Sequence, residues 1–282
     1  MLIFAHIPKV GGSWINHILR CNFGYRHCMR VIPHTGQVYF DADDLRFAQR
    51  CFPKLRSISS HFIWDPARWL PHEHSFFSLL REPVARTAST YQYKVAYDRF
   101  QGSQNAGTKE HFAEWMSDPR NQDYQIRQIA GDLDLDHARD VVTGNFFFLG
   151  LTERLIESVE ALSLLSPIPL DVNPPNPRHK KDKSMFNRAP DNSIKKMLLE
   201  DPETRRLLEE GNRFDIDFYE WVAAEMYPQY LAQAAQAERR PTPAISEANY
   251  RRSKVINNGI YAPAQRLRYA VTGQKEDSNP IF

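Results

Sequence analysis

Lys9, Gly11, Gly12 and Ser13 stand just beyond an apolar run that begins at Leu2, and their types and spacing suit the capture of an anion. The run Leu2–Phe4 with Ile7 is β-prone and stops at Pro8, after which Ile15, Ile18 and Leu19 recur at helical spacing. A strand, a glycine turn and a helix N-terminus gather backbone N–H groups and the positive end of a helix dipole around one point, which suits phosphate or sulfate. The paired glycines let the backbone approach the anion without a Cβ in the way. Lys9 adds a mobile positive charge, and Ser13 can cap the helix or donate a hydrogen bond. The G-x-x-x-x-G-K-[ST] spacing of a kinase-type P-loop is absent.

A second arrangement lies in the segment from Ser75 to Tyr91. Phe76 to Leu80 is a continuous apolar run, as in a buried parallel strand, and Arg81 sits where it ends. Pro83 is placed to open a helix, with Ser89 about two turns into it. Ligands of open α/β sheets gather at the carboxyl ends of strands, so Arg81 shares an edge with Lys9 if the two strands are neighbours. The alternative for Arg81 alone is a surface ion pair with Glu82 or another acid.

Together, Pro8-Lys-Val-Gly-Gly-Ser-Trp14 and Leu79-Leu-Arg-Glu-Pro-Val-Ala-Arg-Thr-Ala-Ser89 resemble the two nucleotide-binding signatures of sulfotransferases that use 3′-phosphoadenosine 5′-phosphosulfate (PAPS). The likeness is nearest to the glycan-modifying branch with the heparan 2-O-sulfotransferases and their bacterial relatives. It continues through Tyr124–Gly131 and Phe147–Arg154, covering residues 2 to 220. The resemblance implies an α/β fold, a parallel sheet flanked by helices in a P-loop-like arrangement, with a helical C-terminal part. It implies that Lys9, Val10, Gly11, Gly12, Ser13 and Trp14 hold the 5′-phosphosulfate, and that Arg81 and Ser89 hold the 3′-phosphate. Val10 departs from the family pattern, where many relatives carry Thr and its hydroxyl. A basic loop that folds over the nucleotide in the family corresponds to Arg178, Lys180 and Lys183, although a charge run is usually a solvated face.

Sulfuryl transfer to a hydroxyl needs a cation at the leaving oxygen and a base for the acceptor proton. Lys9, projecting from the phosphosulfate turn, is the natural cation. The likeness gives the base to His61, in Ile58-Ser-Ser-His-Phe-Ile-Trp64, since the family places its catalytic histidine in a similar segment upstream of Arg-x-Pro. A histidine accepts a proton near neutrality without large tuning. His6 suits a core or supporting position, His72, Glu73 and His74 precede the Phe76 strand on the opposite edge, and Asp65 or a nearby Glu is the reserve base. The group in flight carries less charge than a phosphoryl group, so no metal is required, and no acidic cluster with ligand spacing occurs in the sequence. The acceptor implied is a carbohydrate hydroxyl, on a glycan or a glycosylated small molecule. Two other classes fit the same residues: an ATP-dependent phosphotransferase, which lacks its Walker lysine here, and a non-catalytic nucleotide- or glycan-binding module.

These residues need a parallel sheet to position them. Core strands are expected at Leu2–Ile7, Arg56–Ser60, Ser75–Leu80 and Asn145–Gly150. Helices are expected at Ser13–Cys21, Val84–Tyr97, Lys109–Met116, Asp123–Ala130, Leu135–Thr143 and Glu153–Leu164. Polar Gln101–Thr108 reads as a loop walling the acceptor site, and Ser166–Pro190, rich in Pro, Asn and Lys, as a long loop of the kind that is functional or disordered. Four further helices follow, at Ile194–Leu199, Pro202–Glu210, Phe214–Met226 and Gln229–Glu238.

With 282 residues, 42% of them hydrophobic, the chain can bury one large domain, read as residues 1–238, followed by an extension, residues 239–282. The extension has eight Lys/Arg against three Asp/Glu, leaving the preceding residues at a net −3. It is available to embrace the domain, to meet a second subunit in a homo-oligomer or to attract an anionic acceptor. The slightly acidic body, without a basic-aromatic stripe, argues against nucleic acid. No apolar run approaches a membrane span, and the chain opens in its first strand, whereas secretory glycan sulfotransferases carry an anchor; the expected location is the cytoplasm. Cys21, Cys28 and Cys51 are odd in number and read as reduced thiols.

Overall fold

A computed structural model describes residues 1–29, 39–52, 54–174, 192–242 and 245–272. Five strands, β1 (Leu2–Ala5), β2 (His27–Met29), β3 (Ser57–Ser60), β4 (Ser75–Leu80) and β5 (Phe146–Leu151), form one sheet in the order β2-β3-β1-β4-β5. Every pairing is parallel, as expected of strands joined by helical crossovers. The chain leaves β1 toward β2 and β3 on one side, then returns past β1 to β4 and β5 on the other. That reversal puts the switch point at the carboxyl end of β1, where Lys9 follows.

The helices are α1 (Gly12–Phe23), α2 (Ala42–Cys51), α3 (Pro66–Trp69), α4 (Pro83–Phe100), α5 (Lys109–Ser117), α6 (Tyr124–Ala130), α7 (Leu135–Asn145) and α8 (Leu155–Leu165). The C-terminal part adds α9 (Asn192–Glu200), α10 (Pro202–Glu210), α11 (Arg213–Trp221), α12 (Tyr227–Gln236), α13 (Glu247–Ile256) and α14 (Ala262–Thr272). π-Helical turns join α11 to α12 and α13 to α14. All four residues of β1 are buried, and Phe4 stacks on Phe77 of β4 with ring centroids 5.0 Å apart. A smaller apolar cluster, including Tyr91, Phe112 and Leu198, ties α4 to α5, α9 and α10.

Some sequence expectations shift. β1 ends at Ala5, because the Ile7 N–H turns back to the Ala5 carbonyl at 3.1 Å. β2 and α2 were not expected. β2 is a three-residue edge strand, while α2 announces itself by a capping box, Asp41 with Asp44. Gln101–Thr108 lies at the far end of α4, about 27 Å along the helix from Arg81. There Ala106 is buried, and a Cβ on Gly107 would come within 2.6 Å of Ile194, so this loop seats on α9 and does not wall the strand-end cleft.

The basic extension includes α13 and α14, and it closes the β2 side of the sheet. Asn257 accepts from the Met29 N–H at 2.8 Å and donates to the His27 carbonyl at 3.0 Å, completing the outer edge of β2 with one side-chain amide. Tyr261 is buried against Phe47 and Phe52, and Arg268 pairs with buried Asp44 at 3.0 Å. The three cysteines are free.

Candidate active site

The β1 turn takes its shape from two residues in the left-handed region, Lys9 (φ 69°) and Gly11 (φ 83°). Gly11 is the N-cap of α1; no side chain caps this helix and no acid stands in its first turn. Ser13 is therefore not the cap: it is exposed within the first turn, and no side chain takes the first amides of α1, a geometry that suits an anion. Gly12 has a separate reason to be glycine, because a Cβ there would overlap the imidazole of His6. Val10 is fully buried, so its contribution is backbone; its carbonyl accepts from Thr152 Oγ1 at 2.8 Å. Trp14 is half-buried and packs on the core.

Arg81 arrives at the same place from β4. Its Nη1 donates to the Lys9 carbonyl at 3.0 Å. Gln125 clamps the Arg81 backbone from both sides, accepting from its N–H at 3.0 Å and donating to its carbonyl at 2.8 Å. Asp215 in turn accepts from the N–H groups of Gln125 (3.0 Å) and Ile126 (2.7 Å), pinning α6 beneath Arg81. Thr152 Oγ1 also reaches the Leu80 carbonyl, at 2.9 Å, sharing its proton between the ends of the β1 turn and β4.

Glu82 does not neutralise Arg81. Its carboxylate caps α4, accepting from Val84 N (3.0 Å) and Ala85 N (2.7 Å), with Pro83 at the first helical position. Among the described residues neither Lys9 nor Arg81 forms an ion pair with a carboxylate. Burial, and after it the Arg81 guanidinium, lowers the pKa of Lys9. Two neighbouring cations that no carboxylate among the described residues neutralises suit an anionic ligand. Lys9 Nζ lies 5.4 Å from the centre of the Tyr93 ring. Ser89 stands one turn before Tyr93 on the same side of α4, so that helix face fronts the β1 turn. Arg86, the second arginine of the motif, is buried over the Tyr124 ring and bonded to Thr87, locking α4 onto α6.

His61 follows β3 directly, next to β1 in the sheet. Its Nδ1 lies 2.7 Å from the His6 carbonyl oxygen. A carbonyl can only accept, so Nδ1 carries the proton and Nε2 is the basic nitrogen of the neutral ring. The His61 and His6 rings are tilted against each other with centroids 4.0 Å apart. His6 stacks on Phe4, and Asn16 donates to its Nδ1 at 3.3 Å. Burial, then the charge of His61, pushes the His6 pKa well below its ordinary value, so His6 stays neutral under the loop.

The other expected residues fall elsewhere. Asp65 is buried against α6, its Oδ2 within 2.8 Å of where a Gly131 Cβ would stand. His72 bonds Asn145 at 3.1 Å, at the opposite sheet edge. Arg178, Lys180 and Lys183 lie outside the described residues. Gln125 and Thr152 went unassigned in the sequence, although both sit in segments that carry the family likeness. Only the fold brings them to Arg81 and Val10.

No curated protein matches the chain. A family model described as "Sulfotransferase family" matches residues 1–222, which contain every residue of this site.

Proposed function

Because the chain belongs to the sulfotransferase family, we propose that it moves a sulfuryl group from PAPS to a hydroxyl of a carbohydrate, with Lys9 and His61 as its catalytic residues. The observation that carries this reading is the meeting of Lys9 and Arg81 at the strand-end switch point, two cations that no carboxylate among the described residues pairs with. When bound, PAPS supplies the sulfuryl group and a phosphate as leaving group. The uncapped first turn of α1 suits its 5′ end, and Arg81 with Ser89 suits its 3′-phosphate.

In this reading His61 Nε2 takes the acceptor's proton while the acceptor oxygen bonds to sulfur. The bond between sulfur and the bridging phosphate oxygen breaks, and Lys9 meets the charge left on that oxygen. The His6 carbonyl holds His61 in the tautomer this needs. A carbohydrate acceptor rests on the likeness to the glycan-modifying branch.

The test is transfer of radiolabelled sulfate from PAPS to extracts of host cells, resolved into glycan, lipid and small-metabolite fractions. Label in a glycan or glycoside fraction, lost in His61→Ala, supports the proposal. Label confined to non-carbohydrate hydroxyls removes the acceptor assignment, and no labelling with intact 3′,5′-ADP binding points to a binding module.

A further inference from the structure

The helical run Glu247–Thr272, about 39 Å long, buries one row of residues and exposes another. Ser253, Asn257, Tyr261 and Gln265, four apart, are buried against β2 and its neighbours. On the far side Val255, Gly259, Pro263, Leu267 and Val271 repeat at the same interval, all exposed and none charged. Val255 and Leu267 are each 67% exposed and Val271 79%, with Ile260 beside them at 51%. Four exposed aliphatic side chains along the solvent face of one packed helical run suit a surface that another phase or molecule covers.

Charge decides between occupants. Across residues 245–272 there are five Lys/Arg and a single acid, Glu247. Glu247 is bonded to Arg251, and Arg268 is used by Asp44. Arg252, Lys254 and Arg266 are left beside the aliphatic row, making no ion pair with any described residue. A second copy docking through this face by a two-fold axis would set these cations against each other. A soluble polyanion would use the cations but leave the aliphatic side chains in water. A surface of anionic lipid uses both, the aliphatic row entering the acyl boundary and the cations meeting headgroup phosphates. Tyr25, beside Val255 and Arg252 in a shallow groove, adds an amphipathic ring at the same level. No helix among the described residues is long and apolar enough to cross a membrane, so the contact is one of lying on the surface.

We propose that the face formed by Val255, Ile260, Leu267 and Val271 with Arg252, Lys254 and Arg266 docks the protein on anionic membranes. The idea does not depend on which group the active site transfers. Co-sedimentation of the full chain with phosphatidylcholine vesicles, with and without about one-third phosphatidylglycerol, tests it. The protein is expected to sediment with the anionic vesicles only, and to be released as salt rises toward about 0.5 M. Arg252→Glu/Arg266→Glu and, separately, Val255→Asp/Leu267→Asp should each weaken binding about tenfold or more, with unchanged thermal midpoints. Absence of binding to anionic vesicles, or binding indifferent to both variants, overturns the proposal. A dimer in light scattering that Leu267→Asp dissociates would assign the face to a second copy. Capture by heparin that resists Val255→Asp/Leu267→Asp, with no vesicle binding, would assign it to a polyanion.

Discussion

The guanidinium of Arg81 donates to the backbone carbonyl of Lys9 at 3.0 Å, although the two residues stand on different strands and 72 positions apart. The bond uses one edge of the guanidinium to fix the β1 turn, while Gln125 holds the Arg81 backbone from below. These bonds tie the turn to the β4 end, an arrangement that would limit reorganisation if an anion bound there.

Arg81→Ala removes a cation from the site and a tether from the turn. Affinity for 3′,5′-ADP should fall about tenfold to a hundredfold, the usual worth of a charged hydrogen bond. Ser89→Ala removes one hydroxyl contact but no charge, and should cost about tenfold or less. Calorimetric titration of each variant checks the order.

His61→Ala should lower turnover by about a hundredfold to ten-thousandfold while leaving 3′,5′-ADP affinity near the wild-type value. In the wild type, kcat/KM should fall on the acid side as the imidazole protonates, and His61→Ala should lose that limb. Unchanged turnover in the variant removes His61 as the base.

Gly12→Ala tests the packing of the loop on His6. A methyl there meets the imidazole, and the displaced ring takes with it the backbone that orients His61. The expected cost is about 1–3 kcal/mol of stability, with a loss of turnover larger than the loss of nucleotide affinity. Thermal melting and steady-state rates measure both.

Acid stability should report His27, which is buried beside Ser57 and whose pKa burial, then Arg20, lowers to about 3. In the unfolded chain it titrates at about 6.5. The unfolded state thus binds the extra proton across that window. Its contribution is fully present above the unfolded pKa and lost as pH falls toward 3, at up to about 1.4 kcal/mol per pH unit. His6, also depressed, acts with the same sign. Urea unfolding between these pH values should show a shallower pH dependence in His27→Gln than in the wild type.

The parts of the site that are local in sequence could be read there. The apolar runs before Lys9 and Arg81 and the helix starts after them fix the strand-turn-helix units. His61 follows its strand as expected. The long-range parts were not readable. Gln125 reaches Arg81 across 44 positions and Thr152 reaches Val10 across 142, and polar side chains carry no periodic signal for such partners. β2 is too short to show alternation, and its edge is finished by Asn257, 228 positions from Met29. Arg86, the second arginine of the motif, is taken up in the core by its neighbours Tyr124 and Thr87.

The central claim is that one lysine-bearing turn and one arginine-ended strand grip opposite ends of a bisphosphate. Parallel calorimetric titrations of the wild-type protein with 3′,5′-ADP and with ATP test it most directly. Saturable binding of 3′,5′-ADP, far tighter than that of ATP and weakened in both Lys9→Ala and Arg81→Ala, is the predicted result. Clear preference for ATP, or 3′,5′-ADP binding that neither substitution disturbs, would contradict it.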